Sequence, residues 1–510
     1  MVSLNRYGSV WNRAERIKQN DDKQIVEDFI NGKINDTLAE EAFSTWMIEN
    51  EFKPKGAVAT FADLPADPEL KEIRLVEGEN TQYLYDGSEW VVFGIVNADG
   101  LTTLTEDVAK RSIMQSDVQT FQIPTDYPTL QEAINELSGR TFKHGSVINL
   151  NIETGHTLSD TLSLSNGDYS HFRITSADAE VFLADTFPKA TYAKFTNCSA
   201  PTLATVIDGG GYCANGILLD GGSVMTVEST GGFRRAGTTN LYVRGGATAY
   251  VEPLADFTYG SQDGDSASGG SGITAWGGQV FAESVDVSFS NTYGAQAAHG
   301  GTLSFRDGKA NNCGRHGIRG TNSATVDARG AQANDCGAHA VYALSGSIVN
   351  AYGVSGLNAG SIGLFASQSS TINAREAIVD GSGTGVLSER GSKVDFYSGS
   401  AVGCINAGII SQSASIINAF GATVNDTVAS VTGHGVRCLE GSVINLGGAS
   451  VKNSGGNDLY INKGGTITAI RCNTTNSATN TPNKPYEGDT NATTFNQPTA
   501  YFGIIWAAAS

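Results

Sequence analysis

From about Gly278 onward the apolar positions of the chain settle into one recurring motif: a small residue, an apolar one, a variable one, an apolar residue or Ala, then a Gly-rich turn. GGQVFAE, GGTLSFR, SATVDAR, GSIVNAY, SSTINAR, GSKVDFY, ASIINAF, GSVINLG and GGTITAI align on it. Their middle residues are Phe281, Ser304, Asp327, Asn350, Asn373, Asp395, Asn418, Asn445 and Thr468, at steps of 23, 23, 23, 23, 22, 23, 27 and 23. A second column, Ile318, Val341, Leu364, Val386, Ile409, Val436 and Leu459, steps by 23, 23, 22, 23, 27 and 23. The short and the long step fall in the same repeats, so both columns count turns of one winding chain.

A period near 23 with short apolar alternation predicts coils of short strands, each stacked on the last at about 4.8 Å. Alternation sends Val326, Val349, Ile372, Val394 and Ile417 inward together with Ala328, Ala351, Ala374, Phe396 and Ala419. Gly and Asn supply left-handed backbone at the corners, and Cys313, Cys336 and Cys404 recur as stacked buried thiols. The fold class is mainly β, a right-handed parallel β-helix of about 22–24 residues per coil. It spans 145–470, with less regular early coils back to about Gly145.

Other spacings surround the rod. Residues 1–55 show helical spacing at Trp11, Ala14, Ile17, Ile25, Phe29 and Ile30. Residues 56–100 read as short strands about an Asp86-Gly87 turn, a small β-rich module. Residues 101–120 return to helical spacing (Leu104, Val108, Ile113) and suggest a neck. Residues 121–144 hold a helix that starts at Tyr127-Pro128-Thr129 and sets Leu130, Ile134 and Leu137 on one face, suited to cap the open end of a coil stack. Residues 471–510 form a linker and an apolar tail.

Composition narrows the function. Lys and Arg number 33 and Asp and Glu 52, a net charge of 33 − 52 = −19, which disfavours nucleic acid as a partner. No apolar run reaches the ~18 residues of a membrane span, and the start lacks an apolar signal core, so neither membrane insertion nor Sec-type export is expected. Seven cysteines without a CxxC pair read as buried thiols rather than disulfides or a metal site, and no cofactor is expected.

The FADLP…YLYDGSEW module, the helical neck, the PTDYPTLQEAINEL entry helix and the Gly-rich β-helix together resemble bacteriophage tail spikes and tail fibres. The resemblance implies a homotrimer held to a phage tail or baseplate protein by its N-terminal part, with 1–55 as the attachment segment. It also implies a virion protein assembled in the host cytoplasm, whose rod binds a bacterial surface polysaccharide. Many such spikes also cut that polysaccharide, as hydrolase or lyase, with active sites that differ from spike to spike.

Three groups of residues are candidates for this work. Two residues beyond the Asp/Asn column lies a second outward column that includes Arg306, Arg329, Tyr352, Arg375 and Tyr397. It suits a glycan, through rings against sugar faces and guanidinium forks on anions. A solvated face softened by Asp327 and Asp395 is the plain alternative. On a third sheet, Tyr342, Phe365, Leu387 and Ile410 point outward in succession, which suits burial between subunits, or a hydrophobic groove. For hydrolysis, Asp327 and Asp395 lie three coils apart, roughly 14 Å, too far for the known carboxyl separations. Weak catalytic candidates remain in and beside the insertion between Tyr250 and Phe281, namely Asp263, Asp265, Glu283 and Asp307. His299, His316, His339 and His434 fall near one corner, where a His base with Arg315 or Arg319 would suit a lyase.

Overall fold

The computed structural model describes residues 53–79, 81–95, 118–138, 146–260, 270–428, 433–474 and 504–506. The helical spacings at Trp11–Ile30 and Leu104–Ile113, together with Asp263 and Asp265, lie outside the described residues. The chain divides into two compact units.

In the first unit, four strands pair in chain order: Lys53–Pro54, Glu72–Val76, Thr81–Tyr85 and Trp90–Ile95. The Asp86 carboxylate accepts from the backbone N–H groups of Ser88 and Glu89, at 2.8 and 3.0 Å, which closes the expected hairpin turn with Gly87 at φ 101°. The two halves of the motif also meet. Phe61 sets its ring edge-on to Tyr83 at 4.8 Å, and the Trp90 indole N–H donates to the Pro65 carbonyl at 3.3 Å.

The second unit is the expected parallel coil. Among the described residues, one long sheet has 13 strands and another 16, all paired in parallel with their neighbours. A third, narrow ladder joins short strands through single bridges from Gly232 to Thr423. The ladder partners are the residues that the sequence columns aligned. Ile318 pairs with Val341, Val341 with Leu364, and so on to Leu459. Asp327 pairs with Asn350 and Asn350 with Asn373 in the 16-stranded sheet.

Each coil bends at three corners, and each corner holds a residue with positive φ. Between the 13- and 16-stranded sheets these are Asn322, Ser345, Gln368, Arg390, Ser413, Glu440 and Lys463. After the 16-stranded sheet come Asp307, Gly330, Gly353, Glu376, Ser398, Gly421, Gly448 and Arg471. Before the 13-stranded sheet come Asn312, Asp335, Asn358, Gly381, Gly403, Asp426 and Asn453. The left-handed region suits Gly and, less well, Asn and Asp. That so many bulkier residues adopt it shows that stacking on the neighbouring coil outweighs the local strain. All the length changes noted above fall at the third corner. One residue is dropped between Gly381 and Thr384, and extra residues enter between Asp426 and His434 and between Tyr259 and Ser271.

Inside, Val326, Val349, Ile372, Ile417 and Ala328, Ala351, Ala374 and Ala419 are fully buried. Volume is balanced across the coil. Where the alanine column is broken by Phe305 or Phe396, the residue three places on is Gly308 or Gly399, and a Cβ there would come within 2.5 or 2.3 Å of the ring. Where the column has Ala351, that place is taken by Val354. Cys313, Cys336 and Cys404 are buried free thiols, as the spacing suggested.

The ends extend the stack further than the repeat announced. Val118–Ile123 is a strand, not part of a neck or cap, and pairs along its length with Val147–Ile152. Ile504–Trp506 pairs with Thr466–Thr468. Between the first two strands runs helix α1, Leu130–Leu137, capped by Thr129 through the Glu132 N–H at 3.1 Å. Its Leu130, Ala133, Ile134 and Leu137 are buried, and the Gln131 side chain accepts from the Ser163 N–H, a donor of the edge strand Leu162–Ser165, at 2.7 Å. The helix thus satisfies part of the open end of the 13-stranded sheet.

Phe396→Ala is expected to cost about 3–5 kcal/mol. Adding Gly399→Val in that background recreates the Ala351/Val354 pairing and is expected to recover part of the loss. Denaturant unfolding of the two variants checks this, and a double variant no more stable than Phe396→Ala alone would refute the volume balance.

Candidate functional site

The Asp/Asn column stands at the ends of the 16-stranded sheet's strands as a half-buried ladder. Asn350 donates to Asp327 at 3.3 Å and Asn373 to Asn350 at 3.2 Å; Asn418 donates to Asp395 at 2.8 Å and Asn445 to Asn418 at 3.0 Å. The expected second column lies in the turn just past each strand, not in the sheet itself. Its guanidinium groups are already engaged. Asp327 accepts from Arg306 at 2.7 Å and, in a fork, from Arg329 at 2.9 and 2.8 Å, while Asp395 accepts from Arg375 at 2.6 Å. Burial works to raise the Asp327 carboxyl, but the hydrogen bonds from Arg329 and Arg306 outweigh it and hold the pKa below its ordinary value. The apolar members stay open to solvent: Tyr352 is 41% exposed, Tyr397 41% and Phe420 43%, and the Tyr397 and Phe420 rings stack in parallel at 5.5 Å. This face offers rings first and charge second.

The column Tyr342, Phe365, Leu387 and Ile410 is in register on the 13-stranded sheet, on the same strands as Val341, Leu364, Val386 and Ile409. All four side chains are half-buried. Above them the same face turns polar and aromatic. Tyr293, His316 and His339 begin successive strands and stack, with centroids at 5.3 and 4.6 Å. Arg319 lies over the Tyr293 ring at 4.4 Å and near that of Tyr342 at 5.9 Å, and it donates to Gln296 at 2.8 Å. Tyr342 stacks on Phe365 at 5.1 Å. Sequence spacing found the His316–His339 pair but not Tyr293, which holds the same position one coil earlier, because that column changes residue type there from imidazole to phenol.

His299 does not join the other histidines. It follows the strand Tyr293–Ala298, at the opposite end of the sheet from His316, and stacks on Trp276 at 3.9 Å. Nor is His316 suited to act as a lyase base. Desolvation, then the neighbouring His339, Arg319 and Arg315, push its pKa down to about 2, and a general base works best near the operating pH. Desolvation similarly brings His339 to about 4.

Of the catalytic candidates among the described residues, Glu283 and Asp307 sit in successive corner turns. Glu283 accepts from Ser304 at 3.1 Å and lies 3.7 Å from Arg306. Asp256 and Asp286 are ladder partners whose carboxylates accept from Thr258 and Ser288 within their own turns. A carboxyl pair that the repeat arithmetic missed lies in the irregular early coils. Glu180 and Asp208 share a hydrogen bond beside an open cleft of about 420 Å³ lined by Asp185, Tyr212 and Arg235 among others. Burial first, then Asp208, raises Glu180. Burial also works to raise Asp208, but hydrogen bonds from Arg235, Glu180 and Gly210 bring it below its usual value. Each carboxyl is also bound by a guanidinium, Glu180 by Arg234 and Asp208 by Arg235. Two carboxyls sharing one hydrogen bond are closer than the ~5–5.5 Å of a retaining hydrolase, so the cluster reads as an ion-paired brace. Among the described residues no group of His, Cys, Asp and Glu is placed to hold a metal, and no helix is long and apolar enough to cross a membrane.

Residues 271–420 match the family model of the right handed beta helix region. That stretch covers the most regular coils. No curated protein matches the chain. Similar solved structures include the Dettilon tailspike protein (gp208), at 13% identity over 67% of this chain and 68% of that one, with a TM-score of 0.37. Another is Geobacillus virus E2 ORF18, at 13% identity over 83% of this chain and 72% of that one, with a TM-score of 0.15. Both scores are low, and neither likeness bears on what this chain does.

The buried imidazoles give the coil an acid limit. Below the unfolded pKa of 6.5 the unfolded chain takes up protons that folded His316 and His339 refuse. Their contribution is therefore complete above pH 6.5 and is lost as pH falls, by up to about 1.4 kcal/mol per unit for each imidazole, ending near pH 4 for His339 and near 2 for His316. The unfolding midpoint of His316→Phe is expected to vary less steeply with pH than that of the wild type below 6.5. Equal slopes would contradict the burial of a neutral ring.

Proposed function

We propose that the chain is a bacteriophage tail spike or tail fibre that binds a bacterial surface polysaccharide along its β-helix. Residues 1–120 attach it to a tail or baseplate protein, with 1–55 in contact and 56–100 as a rigid spacer, and three copies assemble side by side. The observation that carries the binding reading is the open turn column, where Tyr352, Tyr397 and Phe420 present exposed rings, two coils and then one coil apart, beside Arg306, Arg329 and Arg375. Exposed rings along the rod suit contact with sugars of an extended glycan, and the arginines, held by Asp327 and Asp395, keep further N–H groups for hydroxyls. The half-buried column Tyr342, Phe365, Leu387 and Ile410 supplies the contact between subunits. The motifs FADLP, YLYDGSEW and PTDYPTLQEAINEL support placement in the virion.

Purified full-length protein is expected to retain capsule or lipopolysaccharide of a bacterium the phage infects, and Arg375→Ala with Tyr397→Ala to weaken this by about tenfold or more. Unchanged retention would remove the turn column from the function. The same incubation tests cleavage. New reducing ends, or the ultraviolet absorbance of unsaturated lyase products, would make the spike a depolymerase. Glu283→Gln, Asp307→Asn and the Asp263→Ala, Asp265→Ala pair would then locate the active site. Light scattering of the full chain is expected to give a trimer that Phe365→Asp with Leu387→Asp dissociates; a wild-type monomer would remove the role given to that column.

A further inference from the structure

Three guanidinium groups on or beside the 13-stranded sheet hold no carboxylate among the described residues: Arg437, which lies over the Tyr460 ring at 5.9 Å, and the neighbours Arg315 and Arg319, which alone of these come together in one cluster. Arg319 and Arg315 make no ion pair among the described residues, in a chain of net charge −19 whose Arg173, Arg234, Arg235, Arg244, Arg306, Arg329 and Arg375 all hold carboxylates. Arg319 is held in place all the same. Tyr293 and Tyr342 lie against its plane, and Gln296, itself 3% exposed, takes one of its N–H groups. Its Nε is buried and has no hydrogen-bond partner, as are the Nδ1 atoms of His316 and His339 beside it. Arg315, at the exposed rim, is positioned by the Tyr293 hydroxyl at 3.3 Å and by the ring itself. Glu389, which acts electrostatically on the Tyr342 hydroxyl, already accepts from Ser367 and Gln412 and pairs with Arg390 at 3.6 Å.

A half-buried charge without a counter-ion is disfavoured, and a buried donor left without a partner adds to that. The fold nevertheless fixes Arg319 with rings and an amide and supplies no acid. We infer that Arg315 and Arg319, positioned by the buried Tyr293 ring, form a site for the carboxylate of an acidic sugar, which their guanidinium groups take at the exposed rim. The inference rests on the glycan-binding reading and adds a second contact with a stated chemistry, at the head of the apolar column. Local charge complementarity selects the ligand: an unpaired guanidinium forms charge-assisted hydrogen bonds with the carboxylate of a uronic or sialic acid, a group that a neutral glycan lacks.

Calorimetric titration of the full chain with oligogalacturonate, oligosialic acid and a neutral maltooligosaccharide tests this. At least one carboxylated oligomer is expected to bind saturably and the neutral one not to; which acid binds distinguishes the two sources. Arg319→Met is expected to weaken that binding by about tenfold or more, as removing a charged hydrogen bond does. Arg315→Gln, at the exposed rim, repeats the test if Arg319→Met does not fold. The inference falls if neither acid binds. It falls too if Arg319→Met and Arg315→Gln leave binding unchanged while Arg375→Ala with Tyr397→Ala abolishes it, a result that would keep glycan binding on the turn column. Dissociation of the trimer by Arg319→Met with no change in affinity would equally overturn it, because the missing acid would then come from a neighbouring subunit.

Discussion

Everything in this rod follows from stacking in register. Each coil offers its backbone to the next in a parallel ladder, so each side chain meets its counterpart one coil away at about 4.8 Å. Inside, that repetition is favourable, since Val, Ile and Ala columns fill a narrow core without gaps and a Phe in one column is matched by a Gly three residues on. At the corners it lets residues such as Arg390 and Glu440 hold a left-handed backbone that they would seldom adopt alone.

Outside, the same repetition is a hazard, because like charges in a column repel. The turn column answers it by interleaving. Asp327 sits between Arg306 and Arg329, Asp395 holds Arg375, and asparagine amides carry the ladder between them. The 13-stranded sheet answers with rings, stacking Tyr293, His316 and His339 and keeping both imidazoles neutral. One face has its charges cancelled internally and exposes aromatics. The other buries aromatics and leaves cations uncancelled, so the two suit different chemical groups.

Length variation is confined just as strictly. From Tyr293 onward, deletion and insertion alike occur at the corner that leads into the 13-stranded sheet, so neither long ladder is broken there. A change within a strand would shift it by a residue and turn its core face outward. The variable corner adjoins the strand starts that carry Tyr293, His316 and His339, which places the most changeable backbone next to the least paired side chains.

The period, the inward columns, the stacked cysteines, the Asp86-Gly87 turn and the apolar face of α1 were all legible in the sequence, because each depends on residues a fixed number of positions apart. The outward columns were legible as columns but not as environments. Spacing aligned Arg306, Arg329 and Arg375 without revealing that Asp327 and Asp395 already hold them. It grouped His299 with His316, which the strand between Tyr293 and Ala298 separates, and it missed the strand Val118–Ile123 and the Glu180–Asp208 pair, where the period is irregular. Periodicity reports which residues share a position on the coil. Which side chains reach across to one another, which atoms lose water and which charges stay unanswered depend on the direction each side chain takes from its coil, and only the folded stack decides that.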